Sequence, residues 1–417
     1  MVLSIRMRLV GLALVVVGGG LTTMNDAAAE SAPGRAGAEP MIRFDDWRGS
    51  RLSQGKAGGA ALKDGVLAFN KVKGIRSVSG RKFEWAQWTS PKVEPGFGLT
   101  ELIPSWNAST PGGSFVRIQV RGRTAAGDTG WDSVADWAAT DASVRRTSFG
   151  AQAGGGASMN VDTWMVPSGA VEWQMRVILM RPVGSDAVPT LRSLGAVASR
   201  TGGATAAVSS PRDQARGVVL DVPAYSQMIH RGEYPQYGGG GNAWCSPTST
   251  SMVLSYYGAL PKKKAYAWVD QDLPDRFIAH AARSTFDWTY DGAGNWPFNT
   301  AYAGAHTDHG FVTRLADLRD VETFILAGIP VVISVAYDKG ELDNSPIDDT
   351  AGHLLVVVGF TKSGDVVVND PAAATNAGVR RTYKRAQLEK VWLEASDGVA
   401  YIIRDKAHPL PTSTKRW

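Results

Sequence analysis

The chain carries one cysteine, Cys245, and six histidines, so any thiol chemistry must start from a single sulfur atom. Cys245 lies in the run Asn242-Ala243-Trp244-Cys245-Ser246-Pro247-Thr248, followed by Met252-Val253-Leu254, Tyr256, Tyr257 and Gly258. The apolar positions predict a buried helix over 248–257, with Pro247 suited to the first turn and Gly258 closing it. Cys245 then stands at a helix N-terminus, where unpaired N–H groups and the positive end of the helix dipole favour an anion. The thiolate is the nucleophilic form of cysteine, so the position suits attack on a carbonyl carbon. Without its neighbours, a lone thiol reads as a small buried hydrophobe.

A thiolate needs a base, and the candidates are His230, His280, His306, His309, His353 and His408. His353 opens the apolar strand Leu354–Phe360, whose burial would fix its backbone. After the turn Thr361-Lys362-Ser363-Gly364 the chain returns as Asp365–Asp370, and Pro371 ends the ladder. His353 and Asp370 thus fall at the same end of one hairpin. Ideal pairing leaves them offset by about three residues, roughly 10 Å along the strand. Asp370 would accept the imidazole N–H and support the imidazolium, as in other sets of nucleophile, base and orienting acid.

The ordered set Gln227, Trp-Cys-Ser-Pro-Thr-Ser at 244–249, Gly-His-Leu-Leu-Val-Val-Val-Gly-Phe at 352–360 and Val-Asn-Asp-Pro at 368–371 resembles the cysteine peptidases that process bacteriocin leaders, cysteine peptidase family 39. Within that family it is similar to the exported papain-like branch of actinobacteria, over about residues 217–406. The resemblance implies a papain-like α+β domain with Cys245 as nucleophile, His353 as base and then acid, and Asp370 as orienting residue. It also implies Gln227 and the Cys245 backbone N–H as oxyanion donors. Trp244 stands where the family usually has glycine, so it is expected to shape the cleft as a substrate-binding residue. Trp296 and Tyr302, with Trp288 and Phe298, are candidates for an aromatic cleft wall, against ordinary packing. The insert Gly238-Gly239-Gly240-Gly241 lacks the Lys-Ser/Thr of a phosphate loop and reads as a flap or a plain loop.

The elements that must position these residues follow from length and pattern. A chain of 417 residues exceeds one ordinary core, and 44% hydrophobic with 20% charged residues is globular composition. Residues 1–29 read as a signal peptide, with Arg6 and Arg8 ahead of an apolar run and Ala27-Ala28-Ala29 at the cut; an uncleaved anchor is the rival. Residues 30–40 read as a spacer. From 41 to 199, period-two runs such as Phe115–Arg121 and Val171–Val177, broken by glycine and proline, predict an all-β sandwich, jelly-roll-like. Residues 200–216 read as a linker, 217–406 as an α+β domain and 407–417 as a tail. In the α+β domain a helix is expected at 318–326, with strands at 331–335, 353–360, 365–369 and 399–403.

Forty-four Lys+Arg against 39 Asp+Glu give only +5, too thinly spread for a nucleic-acid binder. No stretch after the signal approaches a membrane span, so no stable membrane insertion is expected. His306-Thr307-Asp308-His309 has ligand spacing but no predicted helix to align its imidazoles, and no metal or other cofactor is implied. The expected activity is hydrolysis of peptide or isopeptide bonds through a Cys245 acyl-enzyme, outside the cell or at its wall, on a peptide, protein or peptidoglycan substrate. Acyl transfer by the same residues is open. So is a wall- or glycan-binding protein with an inert peptidase-like scaffold, its first domain presenting the eight tryptophans Trp47, Trp85, Trp88, Trp106, Trp131, Trp137, Trp164 and Trp173 to sugars or burying them in its core.

Overall fold

The computed structural model describes residues 40–152, 154–201, 208–412 and 415–417. The signal peptide and nearly all of the spacer expected from the sequence lie outside the described residues. The first domain, Met41 to Arg200, is β-rich throughout. Its 14 strands form one hydrogen-bonded network, joined through the long strand Thr163–Pro182. Near its start that strand pairs with Leu99–Ser109; past an irregularity between Met165 and Ala170 it pairs with Phe115–Thr124 and Arg81–Thr89. A strand that changes partners at such a break turns a corner and lets one sheet fold over its own core. Trp47, Trp88, Trp106, Trp137, Trp164 and Trp173 are buried in that core, while Trp85 and Trp131 are half-buried under arginine side chains.

The second domain is α+β. Its six strands are antiparallel in the spatial order 309–314, 399–404, 331–337, 350–360, 366–369 and 380–383. Five α-helices accompany them: α1 (Cys245–Tyr256), α2 (Phe277–Thr285), α3 (Trp296–His306), α4 (Leu318–Leu326) and α5 (Arg385–Ser396). The central strands alternate between two buried faces, which is why they read as unbroken apolar runs. Ile333, Leu355 and Val357 pack with Leu318, Phe324, Leu388 and Trp392 from α4 and α5. Val332, Leu354 and Val356 pack with Met252, Val253 and Leu254 from α1 and with Phe298 from α3.

That second core does not stop at the domain boundary. Phe298 stacks edge-on with Trp106 and lies 5.3 Å from Trp137, and Phe44 lies 4.5 Å from Phe311. Arg146 is fully buried and donates to the carbonyls of Ala138, Phe286 and Arg283. Asn107 bonds the backbone of Gly310 in both directions, and Ser105 accepts from Val312 N–H.

The described part of the expected linker and the expected tail are also fixed. Ser209 donates twice to the buried Glu389 carboxylate, Arg212 N–H donates to the buried Glu322, and Ala215 joins the core beside α4. Trp417 packs on Phe324 and Arg416 pairs with Asp320. Both segments are packed, because each supplies partners that buried carboxylates and apolar surface require.

A continuous core predicts that the described body unfolds as one unit. Tryptophan fluorescence and far-UV circular dichroism should report coincident urea transitions; two separated transitions would refute the shared core.

Candidate active site

Cys245 is the first residue of α1 and is partly exposed. The helix starts three residues earlier than the apolar pattern marked. The difference lies in its polar first turn, where Ser246, Thr248 and Ser249 are all buried. Ser246 shares a hydrogen bond with the Tyr401 hydroxyl, and Ser249 donates to Leu354 O on the strand that carries His353. These hydroxyls clamp the N-terminus of α1 to the sheet. Thr248 N–H is taken up by Trp244 O and Pro247 has none, which leaves the amides of Cys245 and Ser246 as the first-turn donors.

His353 is buried, and its Nε2 lies 2.8 Å from Asp370 Oδ1. Its other ring nitrogen, Nδ1, is not used in that contact, and the Cys245 side chain is near enough to favour the charged ring. Burial alone pushes the imidazole towards its neutral form; the Asp370 carboxylate and the Cys245 sulfur outweigh it and raise the pKa to about 10. Asp370 has no exposed surface. Burial disfavours its charge, but His353, the Tyr383 hydroxyl (2.6 Å) and the Ala372 N–H (2.9 Å) hold it below the usual carboxylate value.

The expected three-residue offset is closed by a bulge. Phe360 pairs with Val366 and Gly359 with Val367, but Val357 pairs with Val368 and Val356 with Asn369, so Val358 is the extra residue. Continued past Asn369, this register sets Asp370 opposite Leu355, two residues from His353. An even offset puts both side chains on one face, where an odd one would have opposed them. A second irregularity, at Ala336 opposite Ala351 and Gly352, lies at the sheet end beside Cys245.

The cleft there has a volume of about 310 Å³ and is lined by Cys245, Asn242, Tyr290, Trp296, Gly352 and Ser334, among others. Trp296 is therefore at the cleft. Trp244 is not: it is fully buried, donates its indole N–H to Tyr237 O and packs near the His230 ring, anchoring the start of α1. Tyr302 is buried beside His306 and does not line the cleft. Gln227 is buried, takes Pro371 O through its backbone N–H and spends one amide hydrogen on Gly241 O. The glycine insert is a packed loop. A side chain at Gly240 would collide with His230 O, and its φ of +61° already favours glycine.

Two residues near the site were not legible in advance. Tyr383 lies on the edge strand Arg380–Tyr383, whose Arg-Arg-Thr-Tyr sequence shows no apolar alternation to mark it. Asp162 comes from the first domain and lines the cleft at the tip of the hairpin that pairs Asn160 with Thr163. The preceding Val161 has φ +54°, a conformation that costs a β-branched residue on the order of 1–3 kcal/mol. Among the described residues no cluster of three or more His, Cys, Asp or Glu could hold a metal ion, and no helix is long and apolar enough to cross a membrane.

Fold and site together define a β-rich domain fused to an α+β domain that pairs a buried histidine with an aspartate near the cysteine at the start of α1. Residues 219–399 match the Peptidase_C39 like family, and residues 43–199 match the Peptidase C39 N-terminal domain. The chain belongs to the C39-like peptidase family. No curated protein matches it. Among solved structures, a family 61 carbohydrate-binding module in complex with β-1,4-galactotriose aligns at 10% identity and TM-score 0.18, covering 37% of this chain and 86% of its own. A low-affinity xylan-binding module of family 86 from Roseburia intestinalis aligns at 14% identity and TM-score 0.17, covering 38% and 93%.

The His353–Asp370 pair sets a pH window for stability. A raised histidine contributes fully below its unfolded value of 6.5 and loses its contribution as pH rises through about 10. The lowered Asp370 contributes above 3.8 and loses its share as pH falls through its folded value. Urea denaturation of wild type and His353→Gln should therefore show a stability gap at about pH 6 that narrows by about pH 10.5. An equal gap at both values would count against the pair. Tyr383→Phe should cost about 1–3 kcal/mol in the same assay, since it strips a donor from a buried carboxylate.

Proposed function

We propose that this protein is an exported papain-like cysteine peptidase that hydrolyses peptide or isopeptide bonds through a thioester on Cys245. The observation that carries the proposal is the buried 2.8 Å His353–Asp370 pair, with Cys245 at the start of α1 near enough to favour the charged ring. The Cys245 thiolate attacks the substrate carbonyl carbon, and the electron pair moves to the oxygen. The Cys245 N–H and the remaining amide hydrogen of Gln227 are the donors available to that oxyanion. As the tetrahedral adduct collapses, His353 gives its Nδ1 proton to the leaving nitrogen and the C–N bond breaks. Neutral His353 then takes a proton from water as the water oxygen attacks the thioester; the acid leaves and the ion pair is restored. Asp370 stays ionised throughout and fixes the ring.

The signal-like segment 1–29 supports an activity outside the cell, on extracellular proteins or wall peptides. Burial of six tryptophans in the first domain speaks against a sugar-stacking face built from those six indoles.

Iodoacetamide alkylation of Cys245, followed by mass spectrometry, tests the pair directly. At about pH 6, where an isolated thiol with pKa about 8.5 is barely ionised, wild type should react at least about tenfold faster than His353→Ala. The gap should close as pH rises past about 8.5, where a thiol without the histidine ionises on its own. Equal rates at pH 6 would remove the proposal. Cys245→Ala should abolish turnover of any substrate found while leaving the urea midpoint nearly unchanged, because the thiol is partly exposed.

A further inference from the structure

The catalytic cleft belongs to both domains. Val161 and Asp162 of the first domain line it beside Cys245, Tyr290 and Trp296 of the second. The hairpin tip that delivers them breaks a local rule. Asn160 pairs with Thr163, so the turn has two central residues, and the first of them, Val161, has positive φ where glycine is the usual choice. Strain of this kind persists only where the surroundings over-determine the geometry. Here the surroundings are Thr163 Oγ1, which donates to Asp162 Oδ1, and the N–H of Trp296 at the start of α3, which donates to Oδ2 across the domain boundary.

Asp162 is 4% exposed, and burial pushes its pKa up to about 6, so it is mostly ionised at neutral pH without a cationic partner. The groups around it do not neutralise it. Tyr290, Tyr401 and Cys245 are neutral or anionic, and the carboxylate of Asp287 already accepts from Ser148, Thr289, Tyr290 and Asn295. Asp162 and Cys245 line the same cleft. Among the described residues that line the cleft, the charged ones are Asp162 and the exposed Asp291, with no lysine or arginine. A narrow cleft of one sign concentrates ligands of the other.

We infer that the first domain completes the substrate site, with Asp162 as the specificity residue that receives a protonated amine or guanidinium side chain of a peptide substrate next to Cys245. This rests on the peptidase reading above. A bound cation gives the buried carboxylate the partner that the fold withholds, and Asp291 at the rim draws that cation in. The first domain is then part of the enzyme's recognition surface, whatever else it binds.

Peptidyl vinyl sulfones that differ only in one side chain, lysyl, arginyl, norleucyl or glutamyl, test the inference through the rate at which each labels Cys245 in the full chain. Wild type should label with the lysyl and arginyl reagents at least about tenfold faster than with the norleucyl one, and slowest with the glutamyl one. Asp162→Asn keeps an acceptor for Trp296 N–H, so a purely structural role predicts an unchanged lysyl-to-norleucyl ratio, whereas the specificity role predicts its collapse towards one. Asp291→Asn is exposed and safe for folding; it should lower the lysyl rate severalfold at low salt and little at about 0.15 M, where the screening length is about 8 Å. A norleucyl rate equal to the lysyl rate in wild type, or an unchanged ratio in Asp162→Asn, overturns the inference. Iodoacetamide separates the two failures: rapid, His353-dependent alkylation with no side-chain preference sinks the specificity role alone, while slow alkylation sinks the peptidase reading with it.

Discussion

An ionised carboxylate with no exposed surface must be enclosed by donors or it takes up a proton. Asp370 meets that condition with His353, Tyr383 and Ala372, and much of the second domain can be traced to it. Pro371 ends the strand so that the Ala372 N–H can turn back onto the carboxylate. The edge strand Arg380–Tyr383 brings the tyrosine hydroxyl to the other oxygen. The remaining lone pairs hold the imidazole, and the imidazole keeps its proton because the negative charge beside it cannot relax into water. On the proposed peptidase reading, chemistry at Cys245 is downstream of this enclosure. A thiol beside a neutral, freely turning histidine would lack both a fixed partner and the positive charge.

Enclosure alone does not bring His353 and Asp370 to the same side of the sheet; the bulge at Val358 does. The bulge was invisible in the sequence because Leu354-Leu355-Val356-Val357-Val358 is apolar at every position, buried on both faces, and offers no alternation from which a register shift could be read. The participants were legible for the opposite reason. A cysteine before a proline-started helix, a histidine opening a strand and an aspartate before a proline each mark a change of local structure by residue type. The α4 helix and the central strands were visible through their long apolar patterns. By contrast α2, α3 and α5 were missed; α3 is buried around much of its surface and rich in alanine, glycine and aromatics, so no polar stripe marks its period.

Trp244, by residue type alone, suggested a cleft wall, yet it is the plug that fixes the start of α1. A large indole needs one hydrogen-bond partner and otherwise apolar surroundings. Tyr237 O supplies the partner, and Phe286 and Val269 belong to the same core. The six buried tryptophans of the first domain follow the same logic, which is why an aromatic-rich β domain carries little information about sugar binding until exposure is known. What those indoles do instead is join cores. Trp106 and Trp137 reach Phe298, on the helix whose first residue lines the cleft.

That continuity explains where reading along the chain had to fail. Composition shifts near residue 200, and the sheets on either side of it share no strand. The packing, by contrast, runs on across that point. The elements that carry the cleft are covalently in one half and sterically held by the other: Arg146 braces the end of α2, Asn107 and Ser105 brace the strand after α3, and Asp162 caps the start of α3 itself. Because packing is close, a displacement of the first domain must be transmitted to α3 and so to the cleft wall. A valine with positive φ at the tip of the Val161–Asp162 hairpin is what this coupling costs locally, and it falls where the two halves jointly surround the space beside Cys245.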